Sequence, residues 1–268
     1  MKTTAFSLLL LAVLGSSTPA DAARYLIDFG RDDVNTAGGS QGAITPSPDV
    51  NGHYWNNFNK EDFNANTGSL DVPDTAAISG LVDDANVASG IGIQLLDSTG
   101  NNEWEANGAV NGGLLGPDSG LLGDLAIETA TRDYFFTTQA SASFVVNGLN
   151  PLSTYDLEFF ATRDTGSTRE TQYRATDANG SVLSAILQTS GSGAGSAAHP
   201  NGNDDDTVAI MGLVPDGSNS ITVDMLTVSG GFSYVGILQI TENPVPEPAT
   251  GLLLTLGGVV FAAMRRRV

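Results

Sequence analysis

The chain has 268 residues, a formal net charge of −19 at pH 7, no cysteine and two histidines. So acidic a chain repels nucleic acid, and we expect no nucleic-acid partner. The lack of cysteine excludes disulfides, thiolate metal sites and cysteine nucleophiles, and two histidines cannot build a three-histidine zinc site.

The N-terminal residues are typical of a secretory signal peptide. Lys2 supplies a positive start, and the apolar run over residues 5–14 is too short to span a bilayer. The small side chains of Ala20-Asp21-Ala22 predict cleavage by signal peptidase after Ala22, with Thr18-Pro19-Ala20 as an alternative. We therefore assign residues 1–22 to the signal peptide.

Residues 23–243 are predicted to form one all-β domain, an antiparallel β-sandwich of jelly-roll type, although their number would also suit two small domains. Arg24–Phe29 alternates with the period of a strand, and residues 30–81, rich in Asn, Asp, Gly, Ser and Pro, are predicted to form a long loop. Nine further strands are predicted at 91–96, 133–138, 142–146, 155–161, 171–176, 182–188, 207–214, 220–226 and 232–241. No segment shows the 3.6-residue apolar period of a helix.

Two resemblances refine this fold. The segment with Leu149, Pro151 and Tyr155 resembles the corner of fibronectin type III domains, which implies that the tyrosine hydroxyl bonds upstream backbone. The opening LIDFG (26–30) and closing YVGILQI (234–240) make the domain similar to galactose-binding-like β-sandwich ectodomains of secreted bacterial proteins. That resemblance implies a ligand-binding or adhesive module.

The C-terminal residues predict a membrane anchor. An apolar run over 251–264 ends in Arg265, Arg266 and Arg267, which indicates a single transmembrane helix with its arginines in the cytoplasm. The run is shorter than the roughly 20 residues of an ordinary spanning helix, a deficit that snorkelling arginines and local thinning can cover.

Pro246, Glu247 and Pro248, followed by the apolar run and the arginines, resemble a PEP-CTERM sorting signal, which we assign to residues 244–268. The resemblance implies that an exosortase in the inner membrane of a diderm bacterium cuts near the triplet and passes the domain to the cell surface or extracellular matrix. It also implies an organism that makes exopolysaccharide. The alternative is a plain C-terminal anchor.

One loop is a candidate calcium site, because hard cations prefer oxygen ligands. It places five oxygen-bearing side chains close together: Asn201, Asn203, Asp204, Asp205 and Asp206. The loop lacks the spacing of an EF-hand, so solvated turn residues are the alternative. A second acidic cluster, with Asp28, Asp32, Asp33 and Asn35, follows the first strand. Structural calcium is the one cofactor that the sequence suggests.

Tyr54, Trp55 and Trp104 are candidate glycan-binding residues, because asparagines flank them and amphipathic rings suit a binding surface. This hypothesis requires the three rings to be exposed together. The alternative is that the tryptophans belong to the core.

Catalytic patterns are present but lack the context that they need. Ser40 lies in a G-x-S-x-G match, yet no helix pattern follows it as in a nucleophile elbow. The carboxylate pairs Glu103 with Glu105 and Asp83 with Asp84 arise readily in so acidic a chain. We predict no catalytic residue and a non-enzymatic structural or adhesive role, with a carbohydrate-binding module acting on exopolysaccharide as the alternative and a secreted hydrolase as the third.

Overall fold

The computed structural model describes residues 22–32, 42–59, 62–63, 70–96 and 104–244. These belong to one compact unit, Ala22–Val245. Residues 1–21 of the signal peptide, Asp33, Asn35, Ser40, Glu103 and the sorting signal from residue 245 onward lie outside the described residues. Within the described ranges, no helix has the length and apolar character needed to cross a membrane.

Short strands dominate the described chain. In order they are β1 (Ala23–Phe29), β2 (Trp55–Phe58), β3 (Asp62–Phe63), β4 (Leu70–Val72), β5 (Ala77–Ser79), β6 (Gly92–Leu96), β7 (Trp104–Asn107), β8 (Tyr134–Thr137), β9 (Ser141–Asn147), β10 (Ser153–Phe160), β11 (Arg169–Thr176), β12 (Val182–Ser190), β13 (Val208–Leu213), β14 (Ile221–Ser229), β15 (Ser233–Val235) and β16 (Ile237–Pro244). Two four-residue helices, α1 (Ser119–Leu122) and α2 (Glu128–Thr131), and two 3₁₀ turns, Ala109–Asn111 and Gly123–Leu125, lie between β7 and β8.

The strands form three sheets. The first has the order β13-β10-β16-β1-β2, the second β12-β11-β14-β9-β6-β5 and the third β15-β8-β7-β4-β3. The first two face each other as a sandwich, because alternate side chains of each sheet point to a shared core. Phe159 of β10 stacks on Tyr173 of β11 with ring centroids 4.0 Å apart, and Phe29 of β1 approaches Phe144 of β9 at 5.9 Å.

The third sheet packs beside the sandwich through the same core. Phe135 of β8 meets Phe29 and Phe58 edge-on, with centroids 5.6 Å and 5.5 Å away. The opposite face of the first sheet carries a smaller apolar cluster that α1 and α2 help to cover, with Leu26, Trp55 and Leu122 among its members. One face of the third sheet is thus left to form a separate surface.

The prediction of an all-β sandwich is confirmed, and each of the ten predicted strand segments contains a strand. The predicted long loop over 30–81 is wrong in part, since β2, β3, β4 and β5 lie within it. These strands are only two to four residues long, so their alternation is too short to detect against a polar background. The predicted antiparallel pairing is confirmed for the sandwich, with the exception that β1 and β2 pair in parallel.

The predicted strand over 232–241 is divided at Gly236. Its backbone N–H donates to the Phe160 carbonyl (3.0 Å), and its carbonyl accepts from the Phe29 N–H (2.8 Å). Residues before the glycine pair with β8 in the third sheet, and residues after it pair with β1 and β10 in the first. One continuous segment therefore connects the two sheets.

The implied tyrosine corner is confirmed. The backbone N–H of Asn150 donates to the hydroxyl of Tyr155 over 2.8 Å. Tyr155 is fully buried, and burial raises the pKa of its hydroxyl. The neutral phenol thus satisfies a backbone group at the start of β10, where an unpaired N–H would destabilise the fold.

Candidate functional site

A pocket of about 210 Å³ opens on the face of the third sheet that points away from the sandwich core. Its walls combine charged, amide, hydroxyl and aromatic side chains. They are Glu105, Asn107, Phe136, Thr138, Arg163, Arg169, Phe232 and Tyr234.

The floor of the pocket is formed by side chains that alternate with buried ones along β7. In β7, Trp104 and Ala106 are buried in the core, so Glu105 and Asn107 point to the other face. Register pairs Glu105 with Phe136 of β8, and Phe136 with Tyr234 of β15. A charged, an apolar and a phenolic side chain therefore lie side by side across three strands.

Two arginines form the wall: Arg163, which lies between β10 and β11, and Arg169, the first residue of β11. Arg163 donates from Nη1 to the Tyr134 hydroxyl (2.6 Å), and that hydroxyl donates to the Asn111 carbonyl (2.8 Å). Arg169 donates from Nη1 to the Tyr234 hydroxyl, and its guanidinium carbon lies 4.0 Å from the centroid of the Phe232 ring. A cation held over a ring in this way is stabilised by the charge distribution of the ring.

Tyr234 is fixed from both sides of its backbone. Its N–H donates to Thr171 Oγ1 (2.9 Å), and its carbonyl accepts from the Tyr173 hydroxyl (2.6 Å). Burial raises the pKa of Tyr234, an effect that Arg169 opposes. The phenol therefore stays neutral at physiological pH and is a rigid partner for the arginine.

Both arginines retain unused donors. The Nε atoms of Arg163 and Arg169 are buried and have no hydrogen-bond partner among the described residues. Arginine stays protonated in proteins, so each presents a permanent charge whose hydrogen-bonding capacity is only partly satisfied. An external acceptor would complete it.

Arg163 and Arg169 differ from two other arginines of the domain, Arg24 and Arg174, in lacking an ion pair among the described residues. Residues 23–243 contain seven basic residues: Arg24, Arg31, Lys60, Arg132, Arg163, Arg169 and Arg174. Arg24 pairs with Asp84 (2.8 Å) and Arg174 with Asp224 (2.7 Å). Neither Arg163 nor Arg169 forms an ion pair within the part of the chain that the structure describes, although the chain has 30 acidic residues.

The predicted aromatic platform is not formed, which corrects that hypothesis. Trp55 is 3% exposed and belongs to the small cluster on the first sheet, whereas Trp104 is fully buried in the main core. Trp55 Nε1 donates to Asp49 (2.8 Å). Tyr54 is partly exposed, so its role stays a prediction. Trp104 follows the alternation of β7 into the main core, whereas Trp55 lies on the other face of β2 and packs in the smaller cluster.

The predicted calcium loop is held by its own hydrogen bonds. Asn203 is buried and donates to the carbonyls of Ala161 (3.1 Å) and Asp206 (2.8 Å). Asp204 accepts from the N–H and the hydroxyl of Ser196, both at 2.6 Å. In the described ranges no group of three His, Asp or Glu side chains is placed to hold a metal. Calcium at Asn201, Asp205 and their neighbours remains a prediction, and an ion would compete with Ser196 for Asp204.

The carboxylate pair Asp83 and Asp84 has structural partners. Asp83 accepts from the backbone N–H of Ala85 (3.0 Å) and Val87 (2.7 Å), which closes a turn. Asp84 binds Arg24. Both acids therefore stabilise local structure.

A second unusual site lies beneath the surface. Asp28 and Asp133 are buried, and Oδ1 of each has no hydrogen-bond partner in the described residues. Asp28 Oδ2 accepts from the Thr45 hydroxyl (2.7 Å), and Asp133 Oδ2 accepts from the backbone N–H of Arg31 (2.9 Å). Burial raises the pKa of Asp28 to about 7. Burial, and then the charge of Asp28, raise the pKa of Asp133 well above its usual range.

The pocket arginines were missed at the level of sequence. They lie in ATRDTGSTRE (161–170), which has no motif and reads as a turn between strands. One feature of the sequence could have indicated them: basic residues are rare in the domain, and two of them lie only six positions apart. The aromatic partners Phe232 and Tyr234 are some seventy residues away, and only the fold joins them.

Residues 244–267 match the family model described as the PEP-CTERM protein-sorting motif. The motif implies export and C-terminal membrane anchoring before processing by an exosortase. No curated protein matches the chain.

Among solved structures, the chain is similar to TmCBM61 in complex with beta-1,4-galactotriose, at 12% identity over 52% of this chain and 84% of that one, with a TM-score of 0.25. It is also similar to the enzymatically active domain of bacteriophage CBA120 tailspike protein 4, at 20% identity over 52% of this chain and 18% of that one, with a TM-score of 0.23. A third is the Podospora anserina GH26-CBM35 beta-(1,4)-mannanase, at 14% identity over 56% of this chain and 29% of that one, with a TM-score of 0.24.

Proposed function

We propose that this chain is an exported, non-enzymatic saccharide-binding protein that reaches the cell surface or matrix through its PEP-CTERM tail. The observation that carries the proposal is the pocket on the third sheet, where two arginines with unused donors face an amide, a hydroxyl and an aromatic ring. Its ligand would be matrix exopolysaccharide, and binding would make the domain an adhesive component.

The chemistry of the lining suits a sugar. Asn107 offers both a donor and an acceptor, Thr138 is exposed and offers a hydroxyl, and Glu105 accepts from hydroxyl groups. Phe232 is partly exposed and gives an apolar surface, whereas Phe136 and Tyr234 are 4% and 1% exposed and act as rigid walls. Mostly polar contacts with a small apolar area are what a hydroxylated ring requires.

The same lining favours binding over catalysis. Glycoside hydrolysis uses a pair of carboxyl groups, roughly 5 to 9 Å apart. Among the described residues that line the pocket, Glu105 is the single carboxylate, and the lining includes no histidine. We therefore propose that a bound saccharide is retained without being cleaved.

Saccharide binding can be tested with the full chain in detergent and exopolysaccharide from the producing strain. We expect Asn107→Ala and Phe232→Ala each to weaken binding about 10-fold, the effect of losing one or two contacts of about 1 kcal/mol. Arg174→Gln is the matched control, because Arg174 pairs with Asp224 outside the pocket. Saccharide binding that none of the pocket variants changes would place the site elsewhere.

The delivery route is tested separately by replacing Pro246, Glu247 and Pro248 with alanine. We expect the wild-type chain to lose its C-terminal segment and reach the surface, and the alanine variant to stay at full length in the inner membrane. Intact mass and cell fractionation distinguish the two. Equal processing of both chains would show that the triplet is not the recognition element.

A further inference from the structure

The charges that line the pocket indicate which class of saccharide it binds. We propose that it recognises an acidic sugar, with the carboxylate of a hexuronate bound between Arg163 and Arg169, an inference that rests on the saccharide-binding function proposed above. The step beyond that function is the charge and chemical class of the ligand.

Guanidinium geometry supports a carboxylate. Each guanidinium presents Nε–H and one Nη–H along the same edge, which matches the two oxygens of a carboxylate. In Arg163 and Arg169 an Nη1 is held by a tyrosine hydroxyl, and this contact fixes the plane of the group. The buried Nε donors remain unpaired. An unpaired buried donor costs about 1 to 3 kcal/mol, so a small rearrangement that brings it to a bound carboxylate is favoured.

The charge distribution of the domain supports an anion at this place. The lining holds two arginines and one carboxylate, Glu105, so the pocket is locally positive in a chain of net charge −19. Arg24 and Arg174 each form an ion pair with an aspartate, whereas Arg163 and Arg169 form none among the described residues. A pocket meant for a neutral ligand gains nothing from keeping two cations without counterions.

The size of the pocket limits what it holds. A volume of about 210 Å³ lies below the ~300 to 1,000 Å³ of typical small-molecule pockets. It therefore suits one sugar residue, with the rest of a polymer running across the surface. The exposed Thr138 and the partly exposed Phe232 are positioned to contact the neighbouring sugar units.

The overall charge adds a distinctive salt dependence. Outside the pocket, a net negative domain repels a long polyuronate over about one Debye length, ~10 Å at 0.1 M salt. Raising salt from about 10 to 150 mM screens this repulsion. We expect binding of long polyuronate to strengthen and that of a trimer to weaken slightly. Adsorption of a polyanion on a generally basic surface would weaken throughout.

The test compares three probes against the full chain in detergent: a galacturonate trimer, its methyl ester and the neutral galactose trimer. Expected is at least 10-fold tighter binding of the acid than of either uncharged form. Arg163→Gln and Arg169→Gln should each lower the affinity for the galacturonate trimer about 10-fold and leave the affinity for the two uncharged trimers unchanged. Arg169→Lys should be intermediate, because it keeps the charge without the planar donors. Arg174→Gln should match wild type.

The outcomes separate the two proposals. Equal binding of all three trimers by the wild-type chain overturns the acidic-ligand inference and leaves saccharide binding intact, and this comparison does not depend on any variant folding. If the wild-type chain binds neither the three trimers nor any matrix polysaccharide, the proposed function itself is refuted. Preference for a sulfated galactose trimer over the galacturonate trimer would replace the carboxylate assignment. Thermal melts of the arginine variants check that lost binding is not lost folding.

Discussion

The arginine pocket and the buried aspartate pair place like charges together in opposite surroundings. Arg163 and Arg169 line a pocket that reaches solvent, whereas Asp28 and Asp133 are only 2% and 1% exposed. Both regions contain buried polar atoms without hydrogen-bond partners among the described residues. A buried polar atom without a partner can therefore be satisfied in two different ways.

The difference lies in what can reach each site. The arginines cannot lose their charge, so an incoming acceptor must satisfy them, and an anion does so best. The carboxyl groups can take up protons, and burial raises the pKa of Asp28 to about 7 for this reason. Thus an open charged site favours a ligand, whereas a closed one favours a change of protonation. The following predictions, from the largest effect to the smallest, test that contrast.

Replacing Asp28 by Asn should stabilise the protein at pH 8. A buried acid with its pKa raised from 3.8 to about 7 destabilises the ionised fold by a few kcal/mol, which the neutral amide avoids. At roughly 2 to 4 °C per kcal/mol, the melting temperature should rise by several degrees. Asp164→Asn is the control, because Asp164 is exposed. An equal gain at pH 4 would show that charge is not the cause.

The wild-type chain should itself respond to pH in one region only. Because the folded pKa of Asp28 lies above its unfolded value, its contribution to stability is fully present below about pH 4 and is lost as the pH rises through about 7. The raised pKa of Asp133 acts in the same direction. Arg31 and Arg132 next to Asp133 moderate this loss. The melting temperature should therefore fall between about pH 4 and 7, while the affinity for the galacturonate trimer stays constant from about pH 5.5 to 8. Affinity that follows the melting curve would contradict the separation of the two sites.

Phe232→Leu should affect the pocket and leave the core intact. The ring lies under the Arg169 guanidinium and is partly exposed, so its loss removes a contact of about 0.5 to 2 kcal/mol. We expect affinity for the galacturonate trimer to fall about 3- to 20-fold, with the melting temperature within 2 °C of wild type. Titration calorimetry and a thermal melt measure both. A large drop in stability would show that the ring is structural.

Chelation should have the smallest effect. The calcium hypothesis for residues 201–206 requires a lower melting temperature when calcium is removed. Because Asp204 already accepts two hydrogen bonds from Ser196, we expect a change of at most a few degrees. A melt in calcium and in chelator decides it, and Asp205→Asn should abolish any difference. Identical curves remove the hypothesis.

Much of the strand framework followed from local patterns. The ten predicted segments have enough β-branched and aromatic residues to mark a strand without their partners. Tyr155 was placed correctly because its corner is a contact five residues long. The short strands β2, β3, β4, β5 and β7 were missed, since runs of two to four residues are too short to show an alternation and become strands only when a neighbouring strand pairs with them.

The sequence by itself determined the all-β class, the tyrosine corner and the sorting motif, because each depends on residues close together in the chain. The tertiary structure alone decided which aromatic residues are exposed and which charges are unpaired. It buried Trp55 and Trp104, it joined Arg169 to Tyr234 across 65 residues, and it brought Arg163 to the same pocket. Burial and pairing depend on which strand lies opposite, and that is set by long-range packing of the whole core.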